Sequence, residues 1–404
     1  MNVLLLTIAP KKSQKMQRDL IREFTADGHN LFVACPGDLE NPVNNRFAGN
    51  GNEKYLFVKS GNSVGKVGFV KKVLNFLLTD FRYQQALKKA LKDIPVDLVL
   101  YSTPPITLVN TISWVKKKNG AQTYLMLKDI FPQNAVDMGM MKKTGLMGLV
   151  WRYFRAKERK LYHISDQIGC MSPANCRYVC AENPDIRHKV GLCVNAYALE
   201  PLLTIDKASV REAYGIPADR TVFLYGGNLG KPQGLNYLVK VLRQNQNQDD
   251  RFFVVCGNGN DEQTLRRYIE QEKPSNVLFR KPLPPDQFDV LSRACDVGMV
   301  FLDPQFTIPN FPSRMLSIML NAMPILAATD ANTDVGEVIA QGNMGWWCES
   351  TDTAPFNHFI DHICKNPELA REKGKNARAY YETHYTSAIA YGQIMEGITH
   401  EPVC

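Results

Sequence analysis

The sequence predicts an α/β protein of two doubly wound, Rossmann-like domains, and three observations lead there. A chain of 404 residues with 45% hydrophobic content fills two cores better than one. Apolar strand-like runs alternate with segments of helical period, and the alternation starts afresh past residue 220.

The opening residues read as a βαβ unit. Val3–Ile8 is a strand, Met16, Leu20 and Phe24 mark a helix at four-residue spacing, Gly28 ends it, and Leu31–Cys35 is the next strand. Asp97–Tyr101 and Thr123–Lys128 supply further strands, followed by the loops STPP and DIFP. The second series begins at Thr221 and runs strand TVFLY, helix 235–242, strand FFVVC, helix from Glu262 and strand NVLF. It continues with a helix from Pro285, strand VGMVFL, a helix from Ser313 and strand PILAA. Tyr197–Pro217 has scattered prolines and no strong period and is the expected linker. Residues 355–397 read as helix without a strand partner and are expected to pack across the domain junction.

Composition removes several classes. Met1–Ala9 is too short for a signal sequence and is followed at once by Pro10, Lys11 and Lys12, so it reads as a strand. No apolar run approaches the roughly 20 residues that cross a bilayer. Many of the 10 cysteines sit in apolar strand-like runs, where thiols pack as small hydrophobes in a reducing cytosol. Cys170, Cys176, Cys180 and Cys193 lie near His163 and His188 but lack the paired short knuckles of a structural zinc site. His358 and His362 share a helix face, yet the motif glutamate and a third ligand are missing, so surface histidines are expected. No serine-hydrolase elbow and no phosphate loop ending in Gly-Lys-Ser/Thr occurs. The net charge of +8 is uneven: residues 1–200 hold 29 Lys and Arg against 16 Asp and Glu, the remainder 19 against 24. The first half is basic enough to seek an anionic surface.

In open parallel sheets ligands bind beyond the carboxyl ends of the strands. The stretch from Gly226 through Gly227, Asn228, Gly230 and Gln233 to Gly234 lies at such an end, where glycines and a helix start receive a phosphate or serve turn geometry alone. A second turn, Phe311-Pro312-Ser313-Arg314, places Ser313 as a helix cap and a cation where the helix dipole favours an anion. A bound diphosphate resolves that conflict; the alternative is an arginine pointing to water. Asn258, Arg280 and Lys281 follow two further strands. Four strand ends bearing glycine, amide or cationic groups and few carboxylates suit an anionic nucleotide better than a hard metal.

In the first half, Asp129 ends a strand, where a carboxylate binds a sugar hydroxyl, takes up an acceptor's proton, or caps the next turn. Residues 146–164 combine Leu146, Val150, Trp151 and Phe154 with Arg152, Arg155, Lys157 and Arg159, a basic amphipathic helix that rests either on anionic lipid or on the core. Lys11, Lys12, Lys15 and Arg18 add a basic edge at the first loop.

The ordered pieces DGHNLFVACPG, STPP, LKDIFPQNAVDMGMM, MSPAN, YGGNLGKPQGLNYL, VVCGNGNDE, NVLFRKPLP, ACDVGMVFL and FPSRMLSIMLNAMPILA span nearly the whole chain. Together they resemble the retaining family 4 GT-B glycosyltransferases of bacterial surface polysaccharide assembly, especially O-antigen and capsule transferases of the fucosamine-transferase type. The resemblance implies two Rossmann-like domains facing across a cleft. Residues 1–196 would bind the acceptor, 197–385 the nucleotide sugar, and 386–404 would form a helix crossing back to the first domain. It implies a UDP-sugar donor, with a GDP-sugar as the alternative and an N-acetylated sugar suggested by the nearest subgroup. It further implies a polyprenyl-diphosphate-linked or glycan acceptor, no required metal or cofactor, no nucleic acid, and a cytoplasmic enzyme peripheral at the inner face of the plasma membrane.

Carried over by position, Gly227, Asn228 and Gln233 would meet the donor phosphates and sugar, and Arg280 and Lys281 the base. Ser313 and Arg314 would hold the diphosphate, and Asp129 would stand beside the transferred sugar. Lys11, Lys12, Lys15, Arg152 and Arg155 would face acceptor or membrane. Two family glutamates are Pro309 and Ser317 here, and the usual Arg and Lys of the first donor loop are Asn228 and Gln233. The glutamate losses keep a catalytically silent sugar-nucleotide binder open as an alternative. A non-hydrolysing sugar-nucleotide epimerase shares the architecture but would need acidic and histidine groups crowded around the sugar.

Overall fold

A computed structural model describes residues 1–59 and 69–399, so positions 400–404 of the helix expected over 386–404 lie outside the described residues. The chain forms two compact units, one of Met1–Ala198 together with the chain from Ser387, the other of Leu199–Thr386.

The N-terminal unit carries β1 (Asn2–Leu6), β2 (Asn30–Pro36), β3 (Glu53–Val58), β4 (Leu98–Ser102), β5 (Gln122–Leu127), β6 (Gln167–Cys170) and β7 (Val190–Leu192). They form one parallel sheet in the order β3-β2-β1-β4-β5-β6-β7. The order reverses between β1 and β4, the topological switch point at which such sheets open a crevice. Apolar β1, β2 and β4 are buried on both faces, as expected for a parallel sheet clothed by helices.

The C-terminal unit repeats the plan with β8 (Thr221–Asn228), β9 (Arg251–Asn258), β10 (Val277–Arg280), β11 (Val297–Phe301), β12 (Ile325–Thr329) and β13 (Gly345–Glu349). Their order is β10-β9-β8-β11-β12-β13, all parallel, with the switch point between β8 and β11. Phe223, Phe253, Met299, Phe301 and Leu326 form its core with Leu238 and Phe356 from the helices.

An aspartate just before a strand recurs in both units. The Asp97 carboxylate accepts from Asn2 N–H at the start of β1 (2.7 Å). Asp166 accepts from Thr123 N–H (2.9 Å) and Lys116 Nζ (2.6 Å). Asp296 accepts from Val222 N–H (2.8 Å) and Arg211 Nη2 (2.6 Å). Each carboxylate meets an otherwise unpaired amide at the amino end of the neighbouring strand and fixes register there.

Several expectations need correction. The stretch expected as a linker contains a helix, Lys207–Tyr214, because Asp206 accepts from the amides of Ala208 and Ser209 and caps it. Arg211 of this helix reaches Asp296 and ties the segment to the C-terminal sheet. The residues from 355 do not behave as one body. Phe356, Ile360, Ile363 and Ala370 bury into the C-terminal core. The last helix, Ser387–Thr399, packs instead on helix Lys15–Ala26 of the N-terminal unit, with Tyr391 edge-on to Phe24 (4.7 Å). The edge strands β3, β7 and β13, the inner strand β6 and the helix Val335–Gln341 are additions to the elements read from sequence.

Candidate functional site

The carboxyl ends of β8, β9 and β10 bring most of the C-terminal candidates to one rim. β8 continues through Gly226 and Gly227 to Asn228, so these residues are the paired end of a strand and not a loop. Gly227 pairs with Gly257 and Asn228 with Asn258, while Arg280 ends β10 opposite Cys256.

The glycines here have different causes. A Cβ on Gly257 would lie 1.9 Å from the Gly227 carbonyl oxygen, and one on Gly259 would lie 2.1 Å from that of Leu229. A Cβ on Gly226 would strike the Phe288 ring. These three serve close packing of protein on protein. Gly227, at φ +133°, makes room for a functional group: a Cβ there would stand 3.1 Å from Arg314 Nη2.

Arg314 opens the helix Arg314–Leu320, and its guanidinium lies over the Tyr225 ring, 4.4 Å from the centroid. Its Nη1 is buried and has no hydrogen-bond partner. Tyr225 is fixed in turn by its hydroxyl, which donates to the Asn228 carbonyl (2.7 Å). This aromatic platform escaped the sequence reading; the available signal was a tyrosine immediately before the paired glycines.

Other expected residues take clear positions. Asn228 Nδ2 donates to Gln233 Oε1 (2.7 Å), so the two positions form a neutral amide pair. Ser313 is exposed and its side chain makes no capping hydrogen bond, because its own backbone is already helical at φ −61°; the expected cap is absent. Ser317 donates to the Arg314 carbonyl (2.9 Å) and steadies the helix start. Asn258 and Arg280 are exposed at their strand ends. Lys281 Nζ lies 3.8 Å from Glu262, whose carboxylate also binds Arg266 (2.6 Å). One acidic group therefore borders a rim expected to have few carboxylates.

In the N-terminal unit, Asp129 follows β5. Thr103 of the STPP loop donates to its carbonyl (2.9 Å) and accepts from its N–H (3.1 Å), stitching two loops together. Asn134 Nδ2 donates to both carboxylate oxygens at 2.7 Å. Burial pushes the Asp129 carboxyl up to about 6 against these bonds, and the charge of Glu158 adds to the rise. Because the folded value exceeds the unfolded one, its contribution to stability is complete near pH 4 and is lost as pH rises through 6. Asp129→Asn has no such titration. Its stability relative to the natural chain is expected to be level near pH 4 and higher at pH 8 by about 1–3 kcal/mol. Denaturant melts at the two pH values check this, and an unchanged difference would refute it.

Lys11 and Lys15 fold onto aromatic rings of their own unit, Lys11 Nζ 4.0 Å above Tyr55 and Lys15 Nζ 5.5 Å from Tyr197, while Lys12 is exposed. Helix Gly145–Ile164 buries Leu161 and Tyr162 and exposes Leu146, Leu149, Tyr153 and Arg152. Arg155 is not an outward cation: it turns in to buried Glu158 (2.5 Å) and to Asn183 Oδ1 (2.7 Å). Pairing explains this, since an isolated buried carboxylate is costly. Among the described residues no three His, Cys, Asp or Glu side chains gather as a metal site, and no helix is long and apolar enough to cross a membrane.

Residues 206–380 match the family described as glycosyl transferases group 1. Among individual proteins, the chain is 22% identical over 281 residues to a probable glycosyltransferase, WbjE of Pseudomonas aeruginosa, covering 67% of this chain and 66% of the relative. It is 21% identical over 247 residues to a putative colanic acid biosynthesis glycosyl transferase, WcaI of Escherichia coli, covering 60% of each. The matches thus span somewhat less than two thirds of these relatives. The fold resembles that of HepE from Anabaena, solved with UDP-glucose, at a TM-score of 0.69 and 15% identity over 99% of both chains.

Proposed function

We propose that the chain is a retaining glycosyltransferase that moves a sugar, in the N-acetylated form suggested by its nearest subgroup, from a UDP donor to a lipid-linked or glycan acceptor in bacterial surface polysaccharide synthesis. The observation that carries the reading is Arg314, a guanidinium over Tyr225 with an unsatisfied buried Nη1, at the strand tips where Gly227 opens the backbone. A buried charged donor without an acceptor is costly, and a diphosphate supplies the missing acceptor and counter-charge. UDP-glucose in HepE and the colanic acid role of WcaI support the donor and product classes.

In this reading the glycosidic bond to diphosphate loosens, Arg314 stabilises the charge developing on the departing UDP, and the acceptor hydroxyl attacks from the face the leaving group vacates. The acceptor's proton passes to the departing phosphate. The cationic rim serves in place of a metal. Incubation with UDP- and GDP-sugars and a polyprenyl-diphosphate-linked glycan, in EDTA, tests the whole. The expected result is transfer from one UDP-sugar with the anomeric configuration kept; hydrolysis or epimerisation alone overturns it.

A second reading, nucleotide-sugar binding without turnover, draws on Ser317, which stands in place of a family glutamate and spends its hydroxyl on Arg314. Saturable binding of a UDP-sugar with no transfer to any acceptor would favour it.

The membrane side of the proposal rests on Met140, Leu146 (85% exposed) and Leu149 (59% exposed) beside exposed Lys142, Lys143 and Arg152. Apolar side chains enter the lipid boundary while cations meet anionic headgroups. Cosedimentation with phosphatidylglycerol vesicles is expected to fall about tenfold in a Leu146→Glu/Leu149→Glu chain. Retained binding would remove this face from the proposal.

A further inference from the structure

A second cationic hollow lies away from the strand tips, between helices Leu235–Asn245 and Glu262–Glu272 of the C-terminal unit. Helical period places Asn236, Lys240 and Arg243 along one wall and Thr264, Arg267 and Gln271 along the other, around a groove of about 470 Å3. Tyr268 contributes to the lining, is only 2% exposed, and its hydroxyl is buried with no hydrogen-bond partner. Arg243 lies 5.5 Å over the Tyr268 ring and is held by Glu272 (2.7 Å). Lys240 and Arg267 have no carboxylate partner among the described residues.

Three cations against one carboxylate repel each other, and a buried phenol hydroxyl without an acceptor loses its solvation for nothing in return. One kind of guest relieves both: an oxyanion that accepts from the hydroxyl and neutralises the free cations. Burial pushes the Tyr268 phenol up to about 12, so it remains a donor at neutral pH.

We propose that this groove binds a phosphorylated small molecule, with Lys240, Arg267 and the Tyr268 hydroxyl holding the phosphate. Asn236, Thr264 and Gln271 supply the donors and acceptors that a polyol attached to that phosphate would use. The site is separate from the Arg314 rim and does not depend on the reading of that rim. Free phosphate and a sugar phosphate share the required chemistry.

The test is calorimetric titration of the full chain with inorganic phosphate, glucose 1-phosphate and glucose, each in an Arg314→Ala background to remove the other anion site. Saturable binding of a phosphate-bearing probe, but not of glucose, is expected. Loss of one charge-assisted contact in Arg267→Gln or Lys240→Gln is expected to weaken it about tenfold. Tyr268→Phe is expected to weaken it about threefold while leaving the unliganded melting temperature unchanged or higher, since an unsatisfied hydroxyl is removed. Tighter binding of glucose 1-phosphate supports a sugar phosphate as ligand, and equal affinity supports free phosphate. Absence of saturation in the millimolar range, or affinity unchanged in all three variants, overturns the site. UDP titrated into Arg267→Gln with Arg314 intact is expected to bind as in the natural chain, which separates a failure here from a failure of the nucleotide proposal.

Discussion

Arg314→Ala is expected to weaken UDP binding about 100-fold, the scale set by removing one member of a desolvated charge pair. The guanidinium has no carboxylate or carbonyl acceptor at Nη1 and rests on Tyr225, so it contributes little to the unliganded fold. Its removal should therefore leave the melting temperature of the free protein within a few degrees of the natural chain. Arg314→Lys is expected to recover part of the affinity, because the charge remains but the planar fork is lost. Calorimetry with UDP, alongside thermal melts without it, separates the two effects. Wild-type affinity in Arg314→Ala would remove the diphosphate from this rim.

Gly257→Ala is expected to have the largest effect on stability. The added methyl would sit 1.9 Å from the Gly227 carbonyl oxygen, and strand backbone cannot yield as a flexible side chain can. A cost above about 3 kcal/mol follows, or a drop of about 10 °C in melting temperature for a unit of this size. The displaced strand is β8 itself, so UDP affinity should fall with stability. Gly392→Ala is the matched control: nothing lies within 4 Å of its added methyl, and it sits inside the helix Ser387–Thr399. Helix propensity predicts no loss there and a gain of up to about 1 kcal/mol. Similar melting temperatures for the two variants would show that the approach of β8 to β9 is looser than described.

The parallel alternation was legible because buried central strands are continuous apolar runs, as in FFVVC at Phe252–Cys256 and in Val297–Phe301. Strands β6 and β7 were hidden because they are short and carry Gly169 and Gly191, which add no apolar signal. β3 has a mixed sequence at a sheet edge, where burial on both faces is not required. The end of β8 was hidden for a related reason, since Gly226-Gly227-Asn228 resembles a turn until pairing with β9 is known. At the rim, sequence order sufficed to place Gly227, Asn228, Asn258 and Arg280 at strand ends. It could not distinguish the glycine that admits a guanidinium from those that admit neighbouring backbone. Nor could it show that Arg155 turns inward, because Glu158, three residues on in the same helix, is buried and Asn183 is brought alongside only by tertiary packing.

The aspartates Asp97, Asp166 and Asp296 separate fastening from recognition. All three secure their sheets at the amino margin, whereas Gly227, Arg280 and Arg314 belong to the opposite margin. Changes at Ser317 or at the Asn228–Gln233 pair leave those anchors untouched. Such a scaffold can be re-tooled for a different ligand by edits at one margin while the strand alignment persists.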